Sequence, residues 1–149
     1  MTKLSTIQTG IAGEYFVAAE LTRRGWVASL TLRNTRGIDI LVSNDDATKS
    51  VGIQVKTKQG SQPAWLMNKK AECDIAENLF YVFVLIDALD APQYYVVPRS
   101  TVATFVRESH KEWLAAAGKS GQPHMDTDMR QFKDPQGIYK NRWDLLGLT

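Results

Sequence analysis

The chain has 149 residues, of which 44% are hydrophobic and 23% are charged. This length and composition predict one compact globular domain and exclude a disordered chain. The 18 basic and 16 acidic residues nearly balance, which leaves a net charge of +2. A nucleic-acid-binding function would therefore depend on where the cations cluster, and not on the total charge.

The single cysteine, Cys73, excludes an intramolecular disulfide framework and a cysteine-rich zinc site. We expect Cys73 to be a small residue in a helix and not a nucleophile. The N-terminal residues lack the continuous apolar stretch of a secretory signal. The longest apolar run is also far shorter than the roughly 20 residues that span a membrane. We therefore expect a soluble cytoplasmic protein.

The first half of the chain predicts one helix followed by three strands. Apolar residues recur at helical spacing over residues 5–24, and Gly25 provides a stop. Short runs of alternating or continuous apolar residues, bounded by turn-forming residues, then predict strands over residues 26–32, 37–42 and 51–58.

The middle of the chain predicts a buried strand within the sheet. Residues 64–78 have a weak helical pattern. Residues 79–87 form a continuous apolar run, which is typical of a central strand that is buried on both faces. A further strand is predicted over residues 93–97, ending at Pro98.

The last third predicts an amphipathic helix over residues 100–117, a long and partly ordered loop over 118–137, and a segment over 139–148 that docks on the core. Trp113 and Trp143 are expected in the core. The order of elements indicates a single α/β domain over residues 1–149, with a central mixed sheet flanked by helices. We divide it into a core over about residues 5–98 and a C-terminal helical extension over 99–149.

A carboxylate stands out in the first predicted helix. Glu14 shares the predicted apolar face with Ile7, Ile11, Ala18 and Leu21. A buried carboxylate is costly unless it has a partner. The alternatives to a functional role are a structural ion pair or a position at the edge of the apolar stripe.

Two neighbouring strands carry the other candidate residues. Asp39 alternates with aliphatic residues, although aspartate disfavours strands. Gln54 and Lys56 project from one face of the next strand because they are two residues apart. Taken separately, Asp39 could be an edge carboxylate, and Gln54 and Lys56 could belong to a solvated face. Taken together, they present a carboxylate, an amide oxygen and an ammonium group to one place. The two oxygen-bearing groups suit Mg²⁺, because this ion prefers oxygen ligands.

This arrangement resembles the PD-(D/E)XK nuclease superfamily. Glu14 on the first helix, Gly37-Ile38-Asp39 on one strand and Gln54-Val55-Lys56 on the next are most similar to archaeal Holliday-junction resolvases and type IV restriction endonucleases. The resemblance covers residues 5–58 and implies a restriction-endonuclease-like fold.

The resemblance also implies roles for these residues. Asp39 would be the main metal ligand, assisted by Gln54, by the carbonyl of Val55 and by Glu14, and Lys56 would be the catalytic lysine. The implied metal is Mg²⁺ or Mn²⁺. Gln54 departs from the glutamate or aspartate usual in the last motif, although it is similar to a variant in some type IV enzymes. A neutral ligand should weaken metal affinity.

Polar and basic residues near these motifs are candidates for contacts with nucleic-acid phosphates. For any one of them alone, a place on a mixed solvated surface is an alternative. The candidates are Arg33, Arg36, Lys58, Gln59, Ser61, Lys69 and Lys70.

We therefore predict a metal-dependent endonuclease that hydrolyses phosphodiester bonds, in DNA rather than RNA, and that could act as a homodimer. The main alternative is a catalytically weak or inactive module on the same fold that binds nucleic acid or protein. A third possibility is a structural protein with a chance motif. The sequence does not identify which DNA or RNA structure would be cut.

Overall fold

The computed structural model describes residues 2–32, 37–73 and 76–149. None of the described helices has the length and apolar character needed to cross a membrane. In chain order the elements are α1 (Thr6–Arg23), β1 (Val27–Leu30), β2 (Ile40–Ser43), β3 (Ser50–Gln59), β4 (Ala64–Asn68), a 3₁₀ turn (Lys69–Cys73), β5 (Leu79–Ile86), β6 (Gln93–Pro98), α2 (Arg99–Ala115), β7 (Met129–Lys133) and a second 3₁₀ turn (Trp143–Leu146).

The central sheet has five strands in the order β1-β2-β3-β5-β6. Only the β3–β5 pair in this sheet is parallel, and the other neighbours are antiparallel. The predicted mixed sheet is thus confirmed. A separate antiparallel ribbon is formed by β4 and β7.

Each face of the central sheet is covered by one α-helix. On one face, Val17 and Leu21 of α1 pack in a cluster that includes Ile53 and Val82. On the other face, Val102 and Val106 of α2 pack with the inner residues of the β4–β7 ribbon. Because alternate residues of a strand face opposite ways, every second residue of β3 points to the α2 side.

Strand β5 confirms the prediction of a central buried strand. Phe80, Val82 and Val84 belong to the α1-side cluster, whereas Tyr81 and Phe83 belong to the α2-side cluster. The continuous apolar run therefore reflects burial on both faces of the sheet.

Helix α1 begins and ends as the sequence predicts. The Ser5 side chain accepts a hydrogen bond from the Gln8 backbone N–H, and the Gln8 side chain accepts one from the Ser5 N–H. This reciprocal capping box satisfies two backbone groups that a helix start leaves without partners. Gly25, at φ 87°, takes the left-handed conformation that follows the helix.

The buried stripe of α1 differs from the predicted one. Ile7 is 69% exposed, and the buried positions are Thr9, Gly13, Val17 and Leu21. The buried stripe passes through Gly13 because α1 lies close against β3 at this residue. A Cβ atom at Gly13 would stand 1.7 Å from the Thr57 Oγ1 atom, so only glycine permits this approach. Glu14 is half-buried at the edge of the stripe.

The helix predicted over residues 64–78 is wrong over its first five residues. Lys69–Cys73 form a 3₁₀ turn, and residues 74 and 75 lie outside the described part of the chain. Residues Ala64–Asn68 form β4, with Trp65 and Met67 buried and Leu66 exposed. The Trp65 indole N–H donates to the Val84 carbonyl at 3.1 Å. The strand partner of β4 is β7, which comes about 60 residues later, so a local pattern could not reveal the pairing.

The predicted loop over residues 118–137 contains β7, whose Arg130 and Phe132 are buried. The core position predicted for Trp113 is also wrong. Trp113 is 41% exposed and its ring stacks on His124, with 4.0 Å between ring centroids. The docked C-terminal segment is confirmed, because Trp143 and Leu148 are buried in the α1-side cluster.

We predict that Gly13→Ala lowers the free energy of unfolding by about 1–3 kcal/mol, because the added methyl group forces α1 away from Thr57. Chemical denaturation measures the change.

Gly10→Ala is the matched control. Gly10 lies in the same helix, and a Cβ atom there has no neighbour within 4 Å. We expect this substitution to stabilise the protein by about 0.5–1 kcal/mol, since alanine favours a helix. Equal effects at both glycines would contradict the close packing of α1 on β3.

Candidate active site

The Asp39 side chain is hydrogen-bonded to the backbone of β3. Asp39 immediately precedes β2, and its backbone N–H donates to the Ile53 carbonyl at 2.8 Å. Its Oδ2 atom accepts a hydrogen bond from the Val55 backbone N–H at 2.7 Å. A hydrogen bond to a carboxylate is stronger than one between neutral groups. The carboxylate is therefore held beside the strand that carries Gln54 and Lys56.

The second Asp39 oxygen, Oδ1, has no hydrogen-bond partner within the described residues. The alternation of β3 directs Ile53 and Val55 to the α1-side cluster. Gln54 and Lys56 consequently point to the opposite face, as the sequence predicts. The register pairs Ile40 with Ile53, which makes Asp39 and Gln54 neighbours across β2 and β3.

Gln54 and Lys56 line a cleft of about 520 Å³ on the α2 side of the sheet. Its lining residues come from the segment before β2, from β3 and β5, from the end of β4, from the first 3₁₀ turn and from the start of α2. They are Gly37, Gln54, Lys56, Met67, Asn68, Lys70, Ala71, Tyr81 and Arg99.

Sequence reasoning missed Arg99, the first residue of α2. Its side chain is buried, with the whole residue 7% exposed. The Nη2 atom donates to the Gln54 Oε1 atom at 2.7 Å and also to the Gly37 carbonyl. The guanidinium group lies 5.0 Å from the centre of the Tyr81 ring. Arg99 therefore contacts one of the predicted motif residues directly.

Lys56 and Lys58 share a strand and a face but differ in their contacts. The Lys58 Nζ atom donates to the Ala64 carbonyl at 3.0 Å and to the Gln62 carbonyl at 3.3 Å. Lys56 lines the cleft, is half-buried, and makes no hydrogen bond or ion pair within the described residues. Lys58 thus holds the loop before β4, whereas the Lys56 ammonium group is available to a ligand.

Gln59 also has a structural role. Its amide group accepts from the Leu4 N–H at 3.0 Å, and donates to the Leu4 carbonyl at 2.9 Å and to the Thr9 hydroxyl at 3.1 Å. These bonds attach the N-terminal segment to the end of β3. The contacts predicted between nucleic acid and Gln59 or Lys58 stay predictions, because both side chains already bind other parts of the chain.

The other predicted phosphate contacts are dispersed. Lys70 is exposed and lines the cleft, whereas Lys69 and Ser61 are exposed and do not line it. Arg33 and Arg36 lie outside the described residues. Of the predicted basic residues that the structure describes, Lys70 is the one that joins Lys56 in the cleft.

Glu14 does not line the cleft. It lies on α1, which packs against the face of β3 opposite Gln54 and Lys56. Its predicted assistance to a metal, and that of the Val55 carbonyl, stay predictions.

The donor groups fit a hard cation whose coordination the substrate completes. No cluster of three or more His, Cys, Asp or Glu side chains able to hold a metal occurs within residues 2–32, 37–73 and 76–149. Mg²⁺ is usually bound by one or two carboxylates together with substrate phosphates and waters. Asp39, with its Oδ1 atom available, would supply the carboxylate. The Gln54 oxygen already accepts a hydrogen bond from Arg99, and its role as a metal ligand stays a prediction.

We predict that Lys56→Met changes the free energy of unfolding by less than about 0.5 kcal/mol, because it removes no hydrogen bond within the described residues. Lys58→Met should lower the free energy of unfolding by about 1 kcal/mol, because two backbone carbonyls lose their donor.

Chemical denaturation of the two variants under identical conditions measures this difference. A larger loss for Lys56→Met than for Lys58→Met would show that Lys56 is a structural residue.

Two solved structures are similar to this one. It is similar to that of the bacterial homing endonuclease I-Ssp6803I, with a TM-score of 0.56 and 18% sequence identity over 97% of this chain and 94% of that chain. Archaeoglobus fulgidus Hjc, a Holliday junction resolvase from an archaeal hyperthermophile, aligns with a TM-score of 0.49 and 12% identity over 94% of this chain and 97% of that chain.

No protein-family model and no curated protein matches the sequence. At 18% identity, the similarity to the homing endonuclease establishes the fold alone. The predicted architecture is confirmed, and the chain has a restriction-endonuclease-like fold.

Proposed function

We propose that the protein is a metal-dependent endonuclease that hydrolyses phosphodiester bonds in DNA. The observation that carries the proposal is the Asp39 carboxylate, held by the Val55 N–H beside a cleft that the Lys56 ammonium group lines. The restriction-endonuclease-like fold supports it, because the similar structure I-Ssp6803I is a homing endonuclease.

The chain's own groups have separate tasks in this proposal. Asp39 supplies a negative charge and an available oxygen next to Gln54, which lines the cleft. The Lys56 ammonium group donates hydrogen bonds to a phosphate oxygen and stabilises the negative charge that develops there during attack by water. A bound Mg²⁺ or Mn²⁺ ion would acidify that water and neutralise phosphate charge.

A second candidate function is nucleic-acid binding without efficient cleavage. The hydrogen bond from Arg99 to the Gln54 oxygen favours it, since this contact and the neutral amide both reduce the ability of Gln54 to hold a metal. The two candidates differ in turnover, and both place the phosphate backbone in the same cleft.

We predict that the wild-type protein cuts DNA in the presence of Mg²⁺ or Mn²⁺ and that Asp39→Asn slows cutting at least about 100-fold. The asparagine oxygen can still accept the Val55 N–H, so the fold should persist. Lys56→Met should have a similar effect. The substrates are supercoiled plasmid, linear duplex and four-way junction DNA, with structured RNA for comparison.

Lys58→Met is the control, because it removes a lysine from the same face of β3 outside the cleft. It should retain cleavage. Binding of DNA without metal-dependent cutting would favour the second candidate function. Equal cutting by wild type and Asp39→Asn would exclude Asp39 from the reaction.

The predicted homodimer belongs to the same proposal, since cutting both strands of a symmetric substrate needs two active sites. We expect sedimentation velocity to give the mass of a dimer when the protein is bound to a four-way junction.

A further inference from the structure

The cleft has a strongly cationic lining. Lys56, Lys70 and Arg99 contribute three positive charges, and no acidic side chain is among its lining residues in the described parts of the chain. Asp39 adds one negative charge beside it. This balance favours an anion over an isolated divalent cation, because like charges repel strongly in a partly buried site.

Arg99 is held in a fixed position. It is buried, donates to Gly37 and Gln54, and lies over the Tyr81 ring. A guanidinium group carries five N–H donors in one plane and matches the geometry of phosphate oxygens. An arginine held in this way loses less conformational freedom when it binds a phosphate.

The chemistry of Arg99 determines how Gln54 is oriented. A guanidinium group can only donate hydrogen bonds, so Gln54 must turn its carbonyl oxygen towards Arg99. A glutamate at this position would form an ion pair with Arg99 and reduce the positive charge of the cleft. The neutral amide holds the guanidinium group without cancelling its charge.

We propose that Gln54 is a positioning residue for Arg99, and that Arg99, with Lys56 and Lys70, binds a phosphate group of the nucleic acid without needing a divalent cation. The proposal rests on the proposed function for the identity of the ligand. Gln54 then serves phosphate binding rather than metal binding. The metal enters second, after the phosphate has lowered the positive charge of the cleft.

Binding of a short fluorescein-labelled DNA duplex in EDTA, followed by anisotropy over a series of salt concentrations, tests the phosphate contacts. Removal of one cation that binds a phosphate should reduce the slope of log affinity against log salt by about 1. We expect this reduction for Lys56→Met, Lys70→Met and Arg99→Gln.

Two variants separate a phosphate contact from a change in stability or total charge. Arg130→Gln removes another buried arginine, which pairs with Glu72 at 2.6 Å outside the cleft. Lys111→Met removes an exposed lysine of α2 about 18 Å along the helix from Arg99. Both should keep the wild-type slope.

Variants of Gln54 test the positioning role. Gln54→Glu should lower DNA affinity in EDTA about tenfold or more, because its carboxylate pairs with Arg99. Gln54→Ala should lower it less. Gln122→Glu, which adds the same charge to an exposed loop residue, should leave affinity unchanged.

Calorimetric titration of the protein with Mn²⁺ gives a second readout. We expect Gln54→Glu to bind Mn²⁺ more tightly than the wild type in the absence of DNA.

The outcomes distinguish this inference from the proposed function. DNA binding that appears only with metal, or equal salt slopes for the cleft variants and the controls, would overturn the phosphate site even if the protein cuts DNA. A loss of Mn²⁺ affinity in Gln54→Ala with unchanged DNA binding in EDTA would restore Gln54 as a metal ligand. If the cleft variants show the expected salt slopes but the wild-type protein cuts none of the DNAs, the phosphate site is supported and the nuclease proposal is contradicted.

Discussion

The hydrogen bond from the Val55 backbone N–H to the Asp39 carboxylate connects the fold to the candidate site. It joins the residue before β2 to the middle of β3, the strand that also pairs with β5 and packs under α1. The position of the carboxylate thus depends on the packing of the central sheet. A site held by packed strands keeps its geometry without a ligand, which favours catalysis by preorganised groups.

Charge then determines what the site can hold. In our proposal, one carboxylate beside a cleft whose described lining carries three cations would be a weak site for an isolated metal ion and a good site for a phosphate. A phosphodiester would supply both the charge and the oxygen ligands that the protein lacks. The substrate and the metal would then stabilise each other's binding.

The sequence predicted the parts of the structure that depend on nearby residues. Alternation in β3 indicated that Gln54 and Lys56 share a face, and the apolar run of β5 indicated a central strand. The β4–β7 ribbon could not be predicted because its strands lie far apart in the chain. Arg99 was missed for the same reason, since 45 residues separate it from Gln54. Its position between Pro98 and an amphipathic helix was the only signal in the sequence.

Our main proposal is that the cleft lined by Lys56, with Asp39 beside it, binds a phosphodiester together with a metal. The most direct measurement is a pair of crystal structures, of Asp39→Asn and of the wild-type protein, each with a DNA duplex and with Mn²⁺ located by anomalous scattering. We expect a phosphate contacting Lys56 and Arg99 in both crystals, and manganese between Asp39 and that phosphate in the wild type alone. A phosphate bound outside the cleft, or manganese at the same position in Asp39→Asn, would contradict the proposal.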